Sequence, residues 1–432
     1  MSTGKMTVTQ FTFLTALNML GSGIIMLPAK LASVGMISLL TWVVTIIGVV
    51  GLAYSFAKCG MYSRKPGGLG GIAEYTFGRA GSFVVNYIYA ISLVVANVAI
   101  LASAVSYMLA DLRVTLSPFA NMVLMVVLLW IATSVLFLGA RRTSAISAMF
   151  LWGIVLSLLV LVVAGPFWFS WAQLTENWNP NGYSILEAVG HTVSMQLWAF
   201  LGLESACANS DSVENPAQNV PRAVLLATGG VGLLYVVSTT LIGGIVPNSE
   251  LLSSSAPFAV VFSELFGHTT SVILAVVMSL TCYGSLISWQ FTVSRVVKTS
   301  ADLGYFPKIF SKVSANDTPV VGLLIITVVQ SILVVLSRTP SLYGQFAILV
   351  DMSVVTNVIP YMVCVASLYG LVRLTEEQKK PVLVYVMATI ALIYTTYVFA
   401  TYDSFMVRSA TLTTFVGVWL YGMFVPKESL TH

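Results

Sequence analysis

Polar residues along this chain gather into short clusters, and what lies between them is apolar. The apolar stretches fall at roughly 10–34, 36–57, 82–110, 119–139, 146–169, 187–209, 222–246, 270–297, 319–337, 343–372, 381–400 and 408–425. Most are longer than about 18 residues and almost free of charge. Such a stretch predicts a helix that crosses a bilayer and satisfies its own backbone hydrogen bonds there. At about 35 residues per span and connection, the chain has room for roughly twelve spans and none for a separate soluble domain. Residues 1–432 are therefore expected to form one polytopic unit. Residues 1–9 are too short for a cleavable signal peptide, so the first apolar stretch is expected to stay in the mature chain.

Composition sharpens the class. Charged residues make up 8% of the chain, hydrophobic residues reach 57% and mean hydropathy is +0.92. A soluble domain carries about 25% charge, and this chain cannot coat a soluble fold of its length. Aromatic content of 11%, with 32 Gly and 15 Pro, excludes collagenous and disordered chains.

Orientation follows from Lys and Arg, which accumulate in cytoplasmic loops. With twelve spans both termini share a side. That side takes all of the 20 Lys and Arg except Lys30, Arg113, Arg338 and Arg408, so both termini are expected in the cytoplasm. Two connections there, Lys58 to Gly71 and Arg295 to Lys312, combine basic residues with glycines or an amphipathic pattern. They suit anchoring at an anionic lipid surface or a cytoplasmic gate. Cys59, Cys207, Cys282 and Cys364 lie in or beside apolar segments without CxxC spacing. They read as free thiols, with no disulfide and no metal site.

Two spans carry the marks of a broken helix. Span 1 contains Asn18-Met19-Leu20-Gly21-Ser22-Gly23-Ile24-Ile25-Met26-Leu27-Pro28. Glycines weaken a helix interior and Pro28 cannot donate back to residue 24, so unwinding is expected near Gly21 to Gly23. The half-helix that starts there would present free N–H groups and a positive dipole end, a ready carboxylate site. Close packing through small residues is the alternative. Span 6 contains Leu197-Trp198-Ala199-Phe200-Leu201-Gly202-Leu203-Glu204. An ionised carboxylate there costs several kcal/mol unless it is paired or hydrated, which makes Glu204 a functional candidate. On an intact helix, Trp198 and Glu204 would face different ways, whereas unwinding at Gly202 brings both toward one cavity. Paired broken helices are the arrangement of transporters built from inverted repeats.

With these residues in view, the chain resembles the amino acid–polyamine–organocation transporters, and within them the bacterial basic amino acid/diamine antiporters. The resemblance runs nearly end to end. It rests on NMLGSGIIMLPAKLA (18–32), AKCGMYSRKPGGLGGIAEYTFG (57–78), LWAFLGLESACANSDSVENPAQNVPRAV (197–224), SWQFTVSRVVKTSADLGYFPKIFSKV (288–313) and VVTNVIPY (354–361). It implies an all-α membrane protein of twelve transmembrane helices. Two inverted five-helix repeats would cover about 10–169 and 187–372, with helices 1 and 6 discontinuous, and two C-terminal helices would follow at about 381–425.

The resemblance also implies a substrate site between spans 1, 3, 6, 8 and 10. Carried onto this chain, Ser22, Gly23 and Ile24 would take the substrate carboxylate and α-amine. Asn97, Trp198, Glu204 and Trp289 complete that match. Cys59, Glu74, Tyr89 and Tyr421 match a putrescine-handling pattern, and Lys298 and Tyr305 match the cytoplasmic segment after span 8. The AKCGM and GYFPKIFSKV stretches favour the branch that exchanges putrescine for ornithine over the lysine–cadaverine and arginine–agmatine branches. The implied partners are those small molecules, protons and the lipid of a bacterial inner membrane, with a homodimer as a possible assembly. No cofactor, metal or nucleic acid is expected.

The residues make such chemistry physically sensible. Ornithine carries one carboxylate and two ammonium groups, and putrescine two ammonium groups alone. A shared site needs an anion-binding end, supplied by the N–H groups of Ser22 to Ile24, and a place for a cation, supplied by Glu204 and the tryptophan faces. Each cation–π contact in a dry pocket would contribute about 1–2 kcal/mol. Glu204 is also the candidate to change protonation as substrate leaves. Lys298 is expected to attract the ornithine carboxylate. Asp351 departs from the pattern, as a second cation site or an acid near the outer water.

Other classes fit less well. A channel calls for rings of polar residues or a filter. An ATP-driven pump needs a GxxxxGK[ST] loop, and the chain has none. A membrane enzyme needs clustered His, Asp or Ser, whereas His191, His268 and His432 are scattered. A sensor without flux stays open at this point.

Overall fold

The computed structural model describes residues 6–112, 116–204, 213–337, 339, 341–375 and 382–424. Cys207, Arg113 and Arg338 lie outside these residues. In chain order the α-helices are α1 Val8–Met19, α2 Ser22–Ala32, α3 Ser38–Tyr62, α4 Leu69–Leu112, α5 Pro118–Leu136, α6 Ala140–Ala164, α7 Trp171–Glu176 and α8 Ile185–Ala199. There follow α9 Pro216–Ile245, α10 Asn248–Ser253, α11 Pro257–Phe266, α12 His268–Asp302, α13 Val320–Leu336, α14 Leu342–Leu374, α15 Val382–Ala400 and α16 Ser404–Phe424. Among the described residues no strand forms; there are only isolated bridges, Met6 with Val213 and Val313 with Pro319. The all-helical expectation holds. Among the same residues, 8 helices are long and apolar enough to cross a membrane, or 9 crossings if the bent pair α1–α2 counts as one.

The first apolar stretch holds two helices, interrupted where its glycines stand. Helix α1, opened by a capping box of Thr7 and Gln10, stops at Met19. Helix α2 starts at Ser22, bent from α1 by 54°. Pro28 stays inside α2. The same segment also packs closely: a Cβ on Gly23 would lie 2.5 Å from Cα of Ala199. Gly23 therefore lets α2 touch the end of α8.

Buried polar groups tie two sets of helices together. In the first, Asn97 Nδ2 of α4 donates to Gln290 Oε1 of α12 at 2.7 Å. Gln290 and Gln330 of α13 exchange bonds of 2.8 and 2.9 Å. Gln290 also donates to Thr327 at 3.2 Å, and Thr327 pairs with Thr133 of α5 at 2.9 Å. In the second set, Thr45 of α3 donates to Gln196 of α8 at 2.7 Å, and Gln196 donates to Thr41 at 2.8 Å. The Tyr235 hydroxyl of α9 lies 2.9 Å from the Met19 carbonyl and 3.0 Å from the Ala199 carbonyl, so one phenol spans the open ends of α1 and α8. In an apolar surround no water satisfies such groups, and each amide is held to its partner. Gln290→Leu, which orphans Gln330 and Asn97, is therefore expected to cost about 1–3 kcal/mol. A lowered unfolding midpoint in detergent would register it, and an unchanged midpoint would refute it.

Two expected connections prove to be more helical than the sequence suggested. The stretch from Arg295 onward continues α12 to Asp302, because Lys298 and Asp302 pair one turn apart at 2.6 Å. A 3₁₀ turn over Lys308–Ser311 comes only after that. Lys58 likewise lies inside α3, which runs on to Tyr62, and is only 9% exposed, its ammonium 5.9 and 5.5 Å from the rings of Tyr54 and Tyr62. Leu69–Phe77 is helical too, as the first part of α4, set off from the rest by a kink at Gly78, whose φ of +65° suits glycine.

Candidate functional site

The site grows from the two helix ends. Helix α8 stops at Ala199, and Phe200 to Glu204 form a turn. At its centre Gly202 has φ +110°, a region L side chains rarely adopt, and a Cβ there would lie 2.3 Å from the Asn18 carbonyl oxygen. The turn thus presses on the end of α1, which requires glycine on both grounds. On the other side of the break, the first turn of α2 receives no side-chain cap. Its leading N–H groups keep the positive end of the helix dipole.

The turn carries Glu204 into a convergence of donors. Tyr89 of α4 donates its hydroxyl to Oε1 at 2.7 Å, and Tyr361 of α14 donates to Oε2 at 2.6 Å. The Gly202 N–H donates to Oε2 at 3.0 Å. Glu204 is 7% exposed. Among the described residues, the ion pairs engage Glu74, Asp317 and Asp302, and no Lys or Arg engages Glu204. Three neutral donors hold both carboxyl oxygens of Glu204, and none of them brings a positive charge. Such a group is suited to receive a cation.

Two adjoining chambers surround these ends. The larger, of ≈ 480 Å³, is walled by Glu204, Tyr89, Asn18 and Trp289, and extends along Thr292, Arg295 and Thr299 to Gly67 and Gly68. The smaller, of ≈ 20 Å³, lies among Ser22, Gly23, Trp198 and Trp289. Asn18, Gly21, Ser285 and Trp289 line both. Trp198 is buried with no partner for its Nε1–H, a donor left for whatever fills the smaller chamber.

The structure therefore brings together Ser22, Gly23, Trp198, Trp289, Glu204 and Tyr89. It places the other candidates elsewhere. Ile24 is fully buried and borders neither chamber. Asn97 sits in the Gln290 network, its Oδ1 without a partner. The Cys59 thiol approaches the Cys364 carbonyl at 3.7 Å. Glu74 pairs with Lys65 at 2.8 Å and accepts from the Tyr305 hydroxyl at 2.6 Å, which clips the start of α4 to the segment after α12. Burial, and then the adjoining Glu74 carboxylate, push the Tyr305 hydroxyl up to about 12. Tyr421 of α16 packs on Phe83, ring centres 5.3 Å apart, away from both chambers. Lys298 is engaged by Asp302. Asp351 accepts from Ser194 of α8 and borders neither chamber.

Sequence reasoning missed Tyr361, Tyr235 and Arg295 as site residues. Tyr361 follows Pro360 deep in an apolar span. A phenol so far from the polar clusters was the available signal. Tyr235 offers the same signal within α9, and Arg295 was counted only as a loop charge.

Helix ends that meet around adjoining chambers, inside a bundle of apolar helices, define a membrane carrier for small molecules. The chain belongs to the amino acid permease family, whose pattern it matches over residues 6–425. Among curated proteins it is 46% identical to the putrescine transporter PotE of Escherichia coli K12, over 99% of this chain and 98% of that one. The putrescine transporter PotE of Haemophilus influenzae is also 46% identical, with the same coverage. A cadaverine/lysine antiporter of Escherichia coli K12 is 31% identical, over 81% of this chain and 80% of that one.

Proposed function

We propose that this chain is a secondary transporter that exchanges putrescine for ornithine across the bacterial inner membrane by alternating access, and that also takes up putrescine with protons. Twelve spans, two inverted repeats over about 10–169 and 187–372, two further helices, and cytoplasmic termini complete the reading. The observation that carries it is Glu204, a buried carboxylate at the wall of the larger chamber, bound by Tyr89, Tyr361 and the Gly202 N–H and, among the described residues, by no basic side chain. A diammonium supplies that cation. The uncapped start of α2 supplies an anion-binding end for the ornithine carboxylate, and Trp198 and Trp289 flank the space between. Identity of 46% to putrescine transporters against 31% to a cadaverine/lysine antiporter favours the four-carbon diamine. The larger chamber runs toward Gly67, Gly68 and Arg295, the end that the Lys and Arg distribution assigns to the cytoplasm, so this state faces inward.

The swap moves charge. Ornithine in at +1 against putrescine out at +2 is opposed by the membrane potential, and proton-consuming decarboxylation of ornithine in the cytoplasm would sustain the gradients. The test is counterflow in proteoliposomes loaded with unlabelled putrescine and offered labelled ornithine, lysine or arginine. Ornithine uptake that depends on internal putrescine is expected. Preference for lysine with internal cadaverine would move the substrate pair to the second reading, and binding without exchange would mean a sensor.

A further inference from the structure

Exchange of a diamine for an amino acid leaves one selectivity problem, and the inference that follows rests on that exchange reading. Both substrates carry two ammonium groups, and Glu204 attracts both. What distinguishes them is the carboxylate of the amino acid, so selectivity at the open end of the larger chamber requires a cation that faces it. Lys298 does not line that chamber, and its ammonium is held by Asp302 at 2.6 Å. Arg295 does line it.

Arg295 lies six residues beyond Trp289 on α12, about 9 Å further along the axis toward the open end. Its guanidinium is held by Asp317. Nη1 donates to Asp317 Oδ2 at 2.8 Å, and Nη2 donates to the Asp317 carbonyl at 2.9 Å. Its centre lies 5.1 Å from the ring of Phe291, which also lines the chamber. Nε is buried and has no hydrogen-bond partner. The Asp317 carboxylate is 64% exposed, where water screens its charge. The side chain is 27% exposed, so the arrangement leaves a planar cation partly open at the wall of the route to Glu204.

We infer that Arg295 reads the substrate carboxylate at this mouth, raising affinity for the amino acid and lowering it for the diamine. A carboxylate at the mouth is attracted by this charge and is matched by the planar guanidinium. A diammonium is repelled by the same charge. Arg295 and Glu204 then divide the work: Glu204 takes the ammonium that both substrates share, and Arg295 discriminates by the group they do not share.

The test uses inside-out membrane vesicles holding the full chain, with labelled ornithine or putrescine offered at the cytoplasmic face. Arg295→Gln is expected to raise the ornithine KM roughly tenfold, the size of one charge-assisted hydrogen bond, and to lower the putrescine KM. The two move in opposite directions. Ornithine methyl ester, which lacks the carboxylate charge, is expected to follow putrescine. Arg295→Lys keeps the charge and loses the fork, so its ornithine KM should fall between wild type and Gln. Asp317→Asn should retain the preference for ornithine.

A rise of both KM values together, or an Asp317→Asn variant that reproduces Arg295→Gln, would show a structural ion pair and overturn the inference. Wild-type vesicles that take up neither compound would overturn the exchange reading itself, and this one with it. That outcome is distinct from altered selectivity.

Discussion

Glu204→Gln is expected to reduce putrescine–ornithine exchange about a hundredfold or more. Two phenol hydroxyls and one N–H converge on this carboxylate, at 2.7, 2.6 and 3.0 Å. Each phenol bond is charge-assisted and is worth about 1.5–3 kcal/mol. An amide presents one acceptor oxygen, and its NH₂ only donates, so one of Tyr89 and Tyr361 must accept from it and turn its own O–H to another partner. The substrate loses more than the tyrosines do, because the variant removes the negative charge that an ammonium would meet in a dry chamber. Tyr89→Phe and Tyr361→Phe, which remove one donor each and leave the charge, should cost about tenfold apiece. Counterflow rates in proteoliposomes, with protein quantity and unfolding midpoint matched, provide the check. Near wild-type exchange by Glu204→Gln would remove this residue from the mechanism.

Gly202→Ala is expected to abolish measurable exchange and to lower the unfolding midpoint. Two costs arise from one methyl group. The residue holds φ +110°, which costs a residue with a side chain about 1–3 kcal/mol. The new Cβ would also stand 2.3 Å from the Asn18 carbonyl oxygen, which is backbone and cannot swing aside. The end of α1 must retreat, and with it Asn18 and Gly21, which line both chambers. Gly229→Ala, in a helix where a Cβ meets nothing within 4 Å, is the control and should behave as wild type. If Gly202→Ala matched that control in both exchange and unfolding, the close contact between the two helix breaks would have no role.

Much of the fold was legible because lipid enforces a simple code. Long uncharged stretches have one inexpensive conformation in a bilayer, and α3, α5, α6, α9, α12, α14 and α15 lie where such stretches stand. The break after Met19 was legible as well, since Gly21 and Gly23 interrupt an apolar run. Helix ends were less legible. Charge density suggested loops at Lys58 and after Arg295, yet a Lys with nearby rings or an acidic residue one turn on can continue a helix past the apolar stretch. The short helices α10 and α11 went unread between two spans.

The site divides in the same way. By itself the sequence determined that a carboxylate, two tryptophans and a glycine-rich break occur in apolar spans, where each is costly without a purpose. It also determined a family resemblance that runs nearly the whole length of the chain. Only the tertiary structure decided who meets whom. Tyr361, more than 150 positions from Glu204, becomes its partner because α14 packs beside the end of α8. Asn97 turns to Gln290, leaving Tyr89 on the same helix for the carboxylate. Arg295 and Lys298 differ by less than one turn, yet one lines the chamber and the other is engaged by Asp302. Hydrophobicity is a property of each segment, so the chain carries it openly. Contact between side chains on different spans depends on the rotation and depth of each helix, and those are set by packing among all of them together.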